Sequence, residues 1–115
     1  MQVDRVRFAE IMHLFEELPG GPHACILVPF LGMLEFQLGH LQAAKAAADT
    51  KTIREAAHAI KGGCWDLGFQ ALGQYSQHLE QLARAAQLPS EADWSNFFAE
   101  VAWVRVFVEA WPDVG

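Results

Sequence analysis

Near the middle of the chain stands Ala57-His58-Ala59-Ile60-Lys61-Gly62-Gly63-Cys64-Trp65-Asp66-Leu67-Gly68, the stretch whose residue types and spacing best suit chemistry. On a helix, Lys61 and Gly62 follow His58 by three and four residues, so a cation and a gap lie one turn along from the imidazole. Imidazole in water is largely neutral at cellular pH, and its ring nitrogen lone pair is a nucleophile that needs no general base. It could accept a phosphoryl group, with Lys61 stabilising the phosphate charge and Gly62 leaving room for a second active site to dock. Arg54, one turn earlier, and Trp65, about 20° away in helical phase, extend the same outward face.

The helix that must hold these groups is visible in Ile53, Ala57, Ile60, Cys64 and Leu67, which repeat at the spacing of a core-facing stripe. His58 lies roughly 160° from Ile60 and so points to solvent. Thr50 or Thr52 is the expected N-cap, and Leu67-Gly68 closes the helix. Gly62 and Gly63 in its interior each cost on the order of 1 kcal/mol relative to alanine. Close approach by another molecule would explain them; the alternative is a helix that simply ends at Gly62.

Four further helical segments surround it. The first spans Asp4 to Leu18, with Phe8, Ile11, Leu14 or Phe15, and Leu18 apolar, before Pro19-Gly20-Gly21-Pro22 stops it. The second runs from about Ala24 to Ala48 with Ile26, Leu27, Phe30, Leu34, Leu38 and Leu41 inward; Pro29 must fall in its first turn or kink it. A fourth helix carries Ala71, Leu72, Tyr75, Leu79, Leu82 and Ala83 and ends near Gln87-Leu88-Pro89. Ser90, with Asp93 at the capping-box position, opens a last helix to about Trp111 that is apolar on nearly every side. The prediction is an all-α protein, an antiparallel four-helix bundle with a short additional N-terminal helix, in one domain spanning residues 1–115.

Bulk properties narrow the function. The 115 residues are 52% hydrophobic, with four Trp and eight Phe, which excludes a disordered chain. A formal charge of −6 argues against nucleic acid and against an anionic membrane surface. Cys25 and Cys64 do not form a disulfide scaffold and are expected to be reduced. No secretory signal and no unbroken apolar run of roughly 18 to 20 residues occurs. The expectation is a soluble cytoplasmic protein without membrane insertion; the initiating Met and lack of a linker suggest that it stands alone.

The string from His58 to Gly68, with Asp49 upstream and Leu79-Glu80 downstream, resembles the histidine-containing phosphotransfer (HPt) domains of multistep two-component phosphorelays. The family pattern is His-x-x-Lys-Gly, two small residues, two variable ones, a hydrophobic residue and Gly. The resemblance implies a phosphorelay signal-transduction intermediate in which His58 accepts a phosphoryl group from a receiver-domain aspartate and passes it to another. It implies no enzyme in its own right and no cofactor, with Mg²⁺ on the partner receiver domain. Partners would be response-regulator receiver domains and a hybrid sensor histidine kinase. Lys61 would stabilise the phosphate and Gly62 give access, with Arg54, Trp65 and Gly63 at the partner surface. Two positions depart from the pattern: the small pair, usually serine-rich, is Gly63-Cys64, and Trp65 is large where a smaller residue is common.

Two alternatives belong to other classes. One is a receiver- or kinase-binding module that passes no phosphate. The other is a di-metal carboxylate bundle built on Glu10-x-x-His13 and Glu55-x-x-His58, with Glu35 and Glu80 as further donors. Helical phase opposes the metal reading, because both histidines would point out of the bundle. No metal is expected. The apolar last helix also offers a face for a homodimer.

Overall fold

The computed structural model describes residues 2–112, which form helices α1 (Arg5–Leu14), α2 (Val28–Ala47), α3 (Thr50–Leu67), α4 (Gln70–Arg84) and α5 (Glu91–Ala110). Helices α2 to α5 make the four-helix bundle and α1 lies against it, in a body of 45 × 23 × 19 Å. α3 packs most extensively, against α4 and then α2, while α5 closes the bundle beside α4.

Start signals differ in one respect from expectation. Asp49, not Thr50 or Thr52, caps α3: its carboxylate accepts from the Thr52 amide at 3.1 Å and the Thr52 hydroxyl at 2.6 Å. A short carboxylate can serve both donors at once, which a threonine cap cannot. The Thr52 donors also pull the Asp49 carboxyl below its ordinary pKa. α5 opens with the expected capping box, Ser90 and Asp93 each accepting the other's amide hydrogen. α3 runs unbroken through Gly62-Gly63 and stops at Gly68, whose φ of +84° suits a residue without Cβ.

The second helix is one helical run in two registers. A π-helical turn, His23–Leu27, precedes α2, and the Val28 amide reaches back five residues to the His23 carbonyl. Pro29 follows at the second position of α2. Lacking an N–H, it could not have bonded the carbonyl four residues back, and the wider turn accommodates that loss. The run His23–Ala47 is long and apolar enough to cross a membrane by length and composition. In the bundle, its Leu27, Phe30, Leu34, Leu38 and Leu41 are buried in the core.

Three expected details differ, two of them for packing reasons. α1 ends at Leu14 rather than Leu18, because Phe8 and Met12 are buried whereas Leu14 and Leu18 meet no core and stay exposed. α4 ends at Arg84, before Gln87. Tyr75 lies outside the buried stripe, which instead runs Leu72, Ser76, Leu79, Glu80 and Ala83. The apolar excess of α5 is partly used by α1: the Phe8 ring packs edge-on to Phe107 and Trp111 and lies against Phe69. Val106 remains exposed.

Candidate functional site

α3 holds His58 outward, its side chain 64% exposed, while Ala57 and Ile60 beside it are buried. Facing it on α4 is Glu80, whose side chain is 3% exposed. Glu80 Oε2 pairs with His58 Nδ1 at 2.8 Å and accepts from Arg84 Nη2 at 2.9 Å, and Oε1 accepts from Lys61 Nζ at 2.6 Å. A buried carboxylate without partners would be strongly disfavoured. Here the two oxygens gather three donors from two helices.

Burial alone would push the Glu80 carboxyl up. The hydrogen bonds from Lys61, His58 and Arg84, with the charge of Lys61, outweigh it and hold the carboxyl down at about 2. Glu80 is therefore ionised at any physiological pH. An ionised carboxylate only accepts, so Nδ1 of His58 carries the hydrogen of their bond. The ring's other nitrogen, Nε2, then keeps its lone pair in the neutral form.

The other residues expected at this surface fall into separate roles. Arg54 joins Glu55, His58, Glu80 and Arg84 around an open cleft of about 260 Å³. Lys61 lies beside the imidazole but is bound to Glu80 and only 21% exposed. Gly62 is exposed, and a Cβ built there would meet nothing within 4 Å. Nothing inside the bundle demands glycine at that position.

Gly63 has an internal reason. A Cβ there would stand 2.7 Å from Met33 Cε and 3.4 Å from the Phe30 ring, so α2 packs directly onto the bare backbone of α3. Gly63 thus faces α2 and lines the groove beside it, away from the His58–Glu80 pair. Cys64 is buried, its thiol pushed up to about 12 by burial and by Glu100. A hydroxyl at position 64 would therefore lie in the core rather than beside His58.

Trp65 is 37% exposed. Its ring crosses Gly73 of α4, where an added Cβ would come within 2.9–3.1 Å of three ring carbons, and its carbonyl accepts from Arg7 Nε at 3.2 Å. Gly73→Ala should therefore swing the ring outward, seen as stronger acrylamide quenching of tryptophan. The net stability change should stay within about 1 kcal/mol, because alanine's helix propensity offsets lost packing. Unchanged quenching would show that the ring does not depend on Gly73.

Arg84 is not singled out by the sequence, and Glu80 is named there only downstream of the family string and as a donor for the metal alternative, not as the partner of His58. Their signal is Glu80 itself, a charged residue on the apolar stripe of α4, with Arg84 one turn on. Among the described residues no group of three or more His, Cys, Asp or Glu is placed to hold a metal. His13 pairs with Glu16 at 3.0 Å and His58 with Glu80, so neither uses the glutamate three residues before it.

This is a helical bundle with a water-facing imidazole oriented by a buried carboxylate. The family model described as the Hpt domain matches residues 26–110, and the chain belongs to that family. Over 68 residues the chain is 34% identical to Sensor protein TorS of Escherichia coli strain K12; the match covers 59% of this chain and 7% of that much longer protein. The crystal structure of histidine-containing phosphotransfer protein B (HptB) from Pseudomonas aeruginosa PAO1 superposes with a TM-score of 0.82 at 29% identity, covering 93% of this chain and 90% of that one.

Proposed function

We propose that the protein is a cytoplasmic phosphorelay intermediate in which His58 Nε2 takes a phosphoryl group from a receiver-domain aspartyl phosphate and returns it to another. The supporting observation is the His58 Nδ1–Glu80 hydrogen bond, which fixes the tautomer and leaves Nε2 nucleophilic. The Nε2 lone pair forms the N–P bond as the P–O bond to the aspartyl oxygen breaks, and that oxygen leaves as carboxylate. Arg54, Lys61 and Arg84 supply positive charge around the cleft for the transferring phosphoryl. Gly62 leaves the approach to His58 clear, and Arg54 and the exposed part of Trp65 lie on the docking side. The receiver brings Mg²⁺ and the catalytic groups, so this chain is carrier and substrate rather than enzyme. Membership of the Hpt family, with likeness to a sensor protein and to a histidine-containing phosphotransfer protein, supports receiver domains and a sensor histidine kinase as its partners.

The test is incubation with a phosphorylated receiver domain and Mg²⁺, expecting acid-labile, alkali-stable label on this chain. Stable complex formation without label would favour a binding module that passes no phosphate. Lys61→Ala should slow transfer on the order of tenfold or more, measured by rapid quench, with helical circular dichroism retained. A variant that transfers at the wild-type rate would reduce Lys61 to an anchor for Glu80.

A further inference from the structure

The placement of Glu80 has a consequence for the phosphorylated state, and it rests on His58 being the phosphoacceptor. We infer that Glu80 retains the proton on Nδ1 once Nε2 carries phosphorus, keeping the ring ready to give the phosphoryl group up. After transfer the ring bears hydrogen on Nδ1 and phosphorus on Nε2, so it is cationic beside an anionic phosphoryl group. On the return step a carboxylate oxygen of the receiver aspartate forms the new P–O bond as the N–P bond breaks, and the electron pair of that bond goes back to Nε2. If Nδ1 still holds its proton, the leaving group is neutral imidazole; if that proton is lost, it is imidazolate, a far poorer leaving group.

Glu80 Oε2 lies 2.8 Å from Nδ1, on the side of the ring away from Nε2. The carboxylate therefore stabilises the ring cation while the ring itself separates it from the phosphoryl group. The charged groups around the imidazole are Arg54, Glu55 and Lys61 on α3 and Glu80 and Arg84 on α4. Of these, Glu80 alone is bonded to the ring. Lys61 and Arg84 bind its two oxygens from the other sides, which anchors the carboxylate beside Nδ1. A neutral glutamine would fit the same space but would not hold the proton electrostatically.

The experiment measures transfer from phosphorylated protein to a receiver domain across pH 5.5–9.5, for the wild type and Glu80→Gln. The receiver's own pH dependence is common to both. The rate of the variant should begin to fall about one pH unit lower than that of the wild type. Coincident profiles would overturn the role of Glu80 while leaving His58 as the phosphoacceptor. Absence of label on His58 in the wild type would instead remove the reading on which the inference rests. Should Glu80→Gln not fold, ¹⁵N NMR of the phosphorylated wild type supplies the comparison. Nδ1 should release its proton at higher pH in the folded protein than in the same phosphoprotein in urea, and equal midpoints would overturn the inference.

Discussion

His58→Gln should take up no label from a phosphorylated receiver domain, a loss on the order of a thousandfold or more that is bounded by assay background. An amide nitrogen has its lone pair delocalised into the carbonyl and cannot attack phosphorus. The same amide N–H₂ can still donate to Glu80, so the buried carboxylate keeps three donors. His58 projects into water with 64% of its side chain exposed, and its replacement should alter folding stability by less than about 1 kcal/mol. Loss of label with unchanged circular dichroism thus separates chemistry from folding. Persistent acid-labile label would move the acceptor to another exposed histidine. His40 would then be the first to replace, since it borders a cavity of about 420 Å³ that shares Glu55 with the His58 cleft.

The sequence made one face of this site legible and hid the other. His58, Lys61, Gly62 and Arg54 lie within nine residues on one helix, where a period of 3.6 fixes their mutual direction once Ile53, Ile60 and Cys64 mark the core side. Glu80 lies 22 residues from His58 on another helix, and no periodicity dictates which α4 residue meets which α3 residue. Side-chain packing decides it, including the bare backbone of Gly73 beneath Trp65. The replacement of a serine-rich pair by Gly63-Cys64 was likewise opaque to spacing. It resolves only when Met33 and Phe30 are seen against Gly63 and when Cys64 is found in the core. The fold was more readable than the site because five amphipathic or apolar helices with short connections leave few alternatives. Boundaries were misplaced where a local competitor won: the Asp49 cap over a threonine, and exposed Leu14 and Leu18 over a longer α1.

The second large effect concerns stability in acid. The Glu80 carboxyl falls from an ordinary 4.5 to about 2 on folding. A depressed carboxyl contributes stability that is fully present above the unfolded value and lost as pH falls through the folded one, here between about 4.5 and 2. A shift of this size corresponds to roughly 3 kcal/mol at most. Water screens the Arg84 and His58 partners, 62% and 64% exposed, and brings the expectation to about 2 kcal/mol. Glu80→Gln imitates the protonated carboxyl in size and charge. In urea unfolding it should therefore lie about 2 kcal/mol below the wild type at pH 7, the two curves converging as pH approaches 2. Asp49 and Asp93, whose carboxyls are also lowered, are common to both proteins and cancel in the difference. A gap that stayed constant with pH would mean that Glu80 stabilises the bundle by shape and not by charge, and its charge is what fixes the imidazole with Nε2 free.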